Sequence, residues 1–298
     1  MQIEAVAQQF YQSTYIKGYS RKTISRSRHS IVLYCRVFKI AQVEDVSNQN
    51  LRNFFYYGMT ERHWQASTFK CHHKCLTVFF KWCIKEGYLK ENPIEGIEVP
   101  RLEKRLPRRL TKQEAGRLLE VVYNYPYKNS YLRFRNHALF STFILAGLRK
   151  SELLNLKYTD IDIENMTILV RQGKGNKDRI IPISFTLADS LRKYLVERNR
   201  LNKTCPYFFC SLNRNMGIAE TSIKRLVERM RKASGVFFTI HKLRHTFATL
   251  MLEGGCDIYS LSKMMGHSDI STTTIYLSAS AEHLRSQMIK HPLNDLVQ

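Results

Sequence analysis

Between Val99 and Arg109 the chain reads VPRLEKRLPRR, a segment that cannot continue a helix and that divides the sequence in two. Proline removes an amide donor and pushes the residue before it out of the helical region. Pro100 and Pro107 therefore predict an extended linker over 99–110. Its five cations, Arg101, Lys104, Arg105, Arg108 and Arg109, stand against a single Glu. Such a strand suits a phosphate backbone, and would serve equally as a solvated tether. The stretches on either side, 1–98 and 111–298, are each of ordinary domain size.

Before the linker, apolar residues recur at helical spacing. Ile3, Val6, Ala7, Phe10 and Tyr11 form one stripe, which Gly18 stops. Ser20 can cap a second helix carrying Ile24, Ile31, Tyr34 and Phe38. Ser47 can cap a third with Leu51, Phe54 and Phe55, ending near Gly58. A fourth runs from about Ser67 to Glu86 and is closed by Gly87 and Asn92-Pro93. The polar faces carry Arg21, Lys22, Arg26 and Arg28 on the second helix, and Lys70 and Lys74 on the fourth. A small basic helical bundle results, whose plainest reading is an interaction domain. Within it, Cys71-His72-His73-Lys74-Cys75 offers four potential zinc ligands. A second ligand pair at a distance is missing, and Phe69, Leu76, Phe79 and Phe80 make the segment a core helix, so no metal is expected.

After the linker, Thr111-Lys-Gln-Glu114 is a capping box that starts a new helix and a second domain. Apolar periodic runs follow at 131–146 and 151–156. The period then changes: Met166–Val170 and Arg179–Ile183 read as short strands joined by a Gly- and Lys-rich tip, QGKGNKD. Further helices are expected at about 187–200, 221–233, 240–253, 258–265 and 271–278, with an amphipathic tail near 281–290. The fold class is mainly α with a small β-sheet.

The charge balance narrows the partners. Against 25 Asp and Glu stand 47 Lys and Arg, a net +22, and a field of that size attracts nucleic acids or acidic membrane surfaces. No uncharged apolar run approaches the roughly 18 residues a membrane helix needs, and no signal peptide is visible. A soluble, cytoplasmic, nucleic-acid-binding protein is expected. The seven cysteines, an odd number, then read as reduced thiols.

Chemistry concentrates in three places. AGLRKSELLNL sets Arg149 after a helix-ending Gly147. HKLRHTFATLMLEGG puts His241 and Arg244 three apart on one helical face. LSKMMGHSDISTTTIY puts His267 nine residues before Tyr276. Singly these signals are weak, since a lone Arg is usually a surface residue and Tyr276 is one of sixteen tyrosines. The ordered set Arg149, hairpin Lys174, His241, Arg244, His267, Tyr276 is specific. With the wording GLRxSELLxL, GKGxKxR, HxLRHTFAT and the LGH-like MGH, it resembles the tyrosine recombinase (phage integrase) family along the whole chain.

The chemistry fits those residue types. Attack on a phosphodiester adds negative charge to the non-bridging oxygens, which guanidiniums bind well. That assigns Arg149 and Arg244, with His267 as a further donor. A phenol of ordinary pKa near 10 costs roughly 4 kcal/mol to ionise at pH 7, so Tyr276 needs nearby cations and a proton partner, for which His241 is the candidate. Lys174 on the hairpin can protonate the leaving 5′-oxygen, ahead of Lys177 on the same tip, and Glu152 reads as a support that orients an arginine. No metal and no cofactor is called for.

The resemblance implies more. A SAM-like core-binding domain and a catalytic domain should form a C-shaped clamp around duplex DNA. Protomers should bind inverted half-sites and assemble as a homo-tetramer that exchanges strands through a Holliday junction, in a nucleoid-associated setting. Leu284, Met288 and Ile289 form a tail stripe that could dock on a neighbouring protomer or on its own domain. After Tyr276 the chain reads LSASAEHLRSQMIKHPLNDL, unlike the Tyr-Thr-His-Val continuation common in Xer proteins. Integration, excision or transposition of a mobile element is therefore expected before Xer-type dimer resolution. A type IB topoisomerase and a non-enzymatic DNA-binding regulator on the same scaffold are the competing readings.

Overall fold

The computed structural model describes residues 1–101, 107–171, 178–267 and 269–277. The chain separates into two compact units, Met1–Lys104 and Arg105–Gln298.

The first unit is built from α1 (Ile3–Ile16), α2 (Arg21–Phe38), α3 (Asn48–Thr60) and α4 (Ala66–Lys85). Two of these starts were set by side chains: Ser20 Oγ accepts from the Thr23 amide and Ser47 Oγ from the Asn50 amide, satisfying amides that have no intrahelical partner. The helical stripes meet in an aromatic core of Phe10, Tyr34, Phe54, Phe79 and Phe80, each at most 1% exposed. His72 belongs to that core. Its Nδ1 lies 3.0 Å from Ser30 Oγ, and its ring stacks on Trp64 at 4.3 Å. His73 Nε2 lies 2.9 Å from the Ile97 carbonyl. Both imidazoles of the Cys-His-His-Lys-Cys segment are thus engaged in packing, and among the described residues no cluster of metal-ligating groups occurs. Arg21, Lys22, Lys70 and Lys74 are solvent-exposed.

The second unit opens on the predicted capping box: Thr111 Oγ1 accepts from the Glu114 amide and Glu114 Oε2 from the Thr111 amide. It caps α5 (Lys112–Asn124). Then come α6 (Ser130–Leu145), α7 (Lys150–Asn155), β1 (Ile161–Asp162), β2 (Thr167–Val170), β3 (Arg179–Pro182), α8 (Phe185–Arg200), α9 (Glu220–Ser234), α10 (Ile240–Glu253), α11 (Ile258–Met265) and α12 (Ser271–Thr274). Residues 138–144 of α6 are buried on every side, as expected for a helix apolar all round. α5, α8 and α10 pack against it.

The strands form one antiparallel sheet of order β1-β2-β3, with Ile168 opposite both Ile161 and Ile181. β1 was not anticipated, because two residues are too few to show alternation. Among the described residues no helix is long and apolar enough to cross a membrane.

Near the linker, the described positions 99–101 and 107–110 carry neither helix nor strand. Leu110 is fully buried and its amide donates to Thr246 Oγ1 at 2.8 Å. Arg109 pairs with Glu253 at 2.7 Å, so its charge is compensated within the protein, whereas Arg101 and Arg108 face solvent. Lys104 and Arg105 lie outside the described residues, as does the tail stripe of Leu284, Met288 and Ile289.

Candidate active site

The site starts at the break between α6 and α7. Gly147 takes a left-handed φ of +62°, and a Cβ there would fall 2.2 Å from the Phe247 ring. A glycine alone allows α10 to come so close. Two residues on, Arg149 is the N-cap of α7. Its amide donates to Glu152 Oε2 at 2.8 Å, its Nη1 to Oε1 at 2.7 Å, and its Nη2 to the Gly266 carbonyl at 2.9 Å.

Glu152 is shared. Arg179, the first residue of β3, donates Nη1 to Oε1 at 2.9 Å and Nη2 to Oε2 at 2.8 Å, while its Nε reaches the Met264 carbonyl at 2.8 Å. Burial pushes the Glu152 carboxyl up, but the hydrogen bonds and charge of Arg179, with those of Arg149, outweigh it and hold the carboxyl down at about 2. One carboxylate, ionised at neutral pH, therefore anchors two guanidiniums and ties α7 and β3 to the turn after α11.

Arg244 rises from α10 and is 6% exposed. It donates to the Gly147 carbonyl at 2.5 Å and the Met265 carbonyl at 2.6 Å, and its Nη2 lies 3.3 Å from His267 Nε2. His267 Nδ1 lies 2.7 Å from Thr273 Oγ1. The two contacts agree on one tautomer, with Nδ1–H donating to Thr273 and Nε2 accepting from Arg244. Burial, then the charge of Arg149, lowers Arg244 to about 10, which still leaves it a cation at neutral pH. Three guanidiniums around one carboxylate keep the local field positive.

Tyr276 closes the group. It is 2% exposed, packed with Phe247, Ala248, Leu252, Leu261 and Met265. Burial raises its pKa, against the lowering influence of Arg244 and then Arg149. Arg149, Arg244, His267 and Tyr276, drawn from stretches up to 127 residues apart in numbering (276 − 149), thus converge.

Two members of the group are additional to the sequence reading. The imidazole on Tyr276 is that of His245, whose Nδ1 lies 2.8 Å from the phenol oxygen. His241, the residue expected there, is exposed in the first turn of α10. Residues four apart share a helix face, so the HxLRH pattern held both histidines and only the packing of α10 separates them. Arg179 is the second. It ends the GKGxKxR motif, and its position at the start of a strand, pointing back from the hairpin, was the available signal. Lys174 and Lys177 lie outside the described residues.

Residues 108–283 match the profile of the phage integrase family, and residues 6–89 match that of the phage integrase N-terminal SAM-like domain. The tyrosine recombinase XerA of Pyrococcus horikoshii is 36% identical over 226 residues, covering 75% of this chain and 73% of that protein. The tyrosine recombinase XerC of Bacillus licheniformis is 33% identical over 289 residues, covering 92% and 91%. Among solved structures, the XerH site-specific recombinase, crystallised with a palindromic difH substrate as a post-cleavage complex, superposes with a TM-score of 0.73 at 23% identity, over 90% of this chain and 79% of that one. Fold and site together define a tyrosine recombinase. The chain belongs to the phage integrase family, with a SAM-like domain ahead of its catalytic domain.

Proposed function

We propose that this recombinase acts through Tyr276, whose phenol oxygen attacks a DNA phosphodiester, forms a 3′-phosphotyrosyl link and releases a 5′-hydroxyl. The observation that carries the reading is the packing of Tyr276 beside the Arg149–Arg244–His267 group. Each arginine has five N–H donors, more than the protein contacts above use, so both can also bind the non-bridging oxygens of a scissile phosphate. Their anchoring to Glu152 and to backbone carbonyls fixes them before substrate arrives, so little reorganisation is needed in the transition state. His267 Nε2 donates to the same phosphate once its contact with Arg244 opens and the ring takes the other tautomer, with the Thr273 hydroxyl donating to Nδ1. His241, exposed three residues before Arg244, offers a further imidazole to the bound phosphate. Lys174 protonates the departing 5′-oxygen. The phosphotyrosyl link stores the energy of the broken bond, so rejoining needs no ATP.

The partner is duplex DNA carrying inverted half-sites, a reading supported by the palindromic substrate of the XerH complex. The SAM-like domain and the catalytic domain each bind that duplex through their basic surfaces. Four protomers exchange strands through a Holliday junction. The divergent residues after Tyr276 favour a mobile-element role. The XerC relative, matched over 92% of this chain, favours dimer resolution as the second reading. A supercoiled plasmid carrying two sites tests the class: exchanged flanks are expected, and relaxation of supercoils without exchange would indicate a type IB topoisomerase instead. DNA binding with neither outcome would indicate a regulator.

A further inference from the structure

The proton of Tyr276 has a visible acceptor. His245 Nδ1 sits 2.8 Å from the phenol oxygen, with ring centroids 5.5 Å apart. A histidine in this position can act only if it is neutral, because Nδ1 must offer a lone pair. Burial, then the charges of His241 and Arg244, disfavours the imidazolium. Among the described residues, the charged and titratable groups facing the pair are His241 and Arg244 on α10, Arg149 at the start of α7, and Tyr276 itself. None of them is an anion that would restore the imidazolium. The neutral ring is the form in which the phenol donates and Nδ1 accepts.

We infer that His245, rather than His241, is the catalytic base for Tyr276. The inference rests on Tyr276 being the nucleophile. As the phenol oxygen bonds to phosphorus, its proton passes to His245 Nδ1. The bond from phosphorus to the 5′-oxygen breaks, and that oxygen takes a proton from Lys174. In rejoining, the 5′-hydroxyl returns its proton to the Lys174 amine as it attacks phosphorus, the bond from phosphorus to the phenol oxygen breaks, and His245 returns its proton to the departing phenolate.

The test is single-turnover cleavage of a nicked site duplex that traps the phosphotyrosyl product. His245→Phe keeps the ring shape and removes the acceptor, and is expected to slow cleavage by 100-fold or more within the usual range of 10²–10⁴ for general-base catalysis. His245→Asn retains a polar atom near the Nδ1 position and should recover part of that loss. Replacing Tyr276 with difluorotyrosine supplies a more acidic phenol that needs less help in losing its proton. It should restore cleavage at least 10-fold in the His245→Phe background and do little in His241→Ala. Rescue confined to His241→Ala, or cleavage by His245→Phe at the wild-type rate, overturns the assignment. Should His245→Phe fail to bind DNA, the His245→Asn and fluorotyrosine pair decides in its place. Covalent complexes formed by Tyr276→Phe would refute the nucleophile reading itself, separately from the role of His245.

Discussion

At Glu152, two guanidiniums and a backbone amide end on one buried carboxylate. Its folded pKa of about 2, against an ordinary 4.5, makes the group a source of stability that is present above pH 4.5. That contribution fades as the pH falls from 4.5 toward 2, where the folded carboxyl itself becomes protonated. The difference corresponds to roughly 3 kcal/mol. Glu152→Gln should therefore unfold more readily than wild type at pH 7, and the gap should narrow below pH 4, as followed by circular dichroism. An equal gap at pH 7 and pH 3 would mean that the ion pair contributes nothing. Because Glu152 also orients Arg149, the variant should lose cleavage well beyond any loss of DNA binding. At Tyr276 the expectation is sharper: Tyr276→Phe should bind site DNA as wild type does in a mobility-shift assay and form no covalent complex.

Among the elements, the close approach of α10 to the end of α6 positions Arg244 against the Gly147 carbonyl. Gly147→Ala must strain a left-handed backbone and displace the Phe247 ring, costing about 2–4 kcal/mol. In thermal melts, Gly147→Ala should cost less when introduced into Phe247→Ala than into wild type, because only the backbone part remains. A Gly147→Ala protein as stable as wild type would contradict the close approach. Much at this scale was legible in advance. Ser20, Ser47 and Thr111 marked helix starts by their capping chemistry, and α10 and α11 follow their apolar periods from end to end. Arg149, Arg244, His267 and Tyr276, which the fold brings together, were legible as a set because the motif wording surrounds each one, while Lys174 lies outside the described residues. What escaped was geometric. Periodicity places His241 and His245 on one face but does not say which of them meets Tyr276, since that depends on how α10 packs against α11 and α12. β1 was too short to carry a period. α12 stops at Thr274 because the chain tightens there, with the Tyr276 amide donating to the Thr273 carbonyl and Leu277 to Thr274, a three-residue spacing that an α-helical pattern does not foresee.

For the molecule as a whole, the governing quantity is the charge of +22. Phosphate contacts release counterions, so binding should weaken steeply with salt, with a slope of about −0.9 per phosphate neutralised. Exposed Arg21, Lys22, Lys70, Lys74, Arg101 and Arg108 are expected to account for part of that slope. Charge-removing substitutions among them should each reduce it by about one where a phosphate is contacted. Arg109, already paired with Glu253, should change it least. A shallow slope in wild type would mean that the basic surface is solvated rather than bound to DNA. The central claim is that one tyrosine carries the DNA strand. It is tested most directly by selecting a site from duplexes with randomised inverted repeats, trapping the enzyme on a nicked copy and mapping the DNA-linked peptide by mass spectrometry. The peptide containing Tyr276 should bear the nucleotide through a 3′-phosphate, whereas a nucleotide on any other residue, or on the 5′ side of the break, would contradict the account.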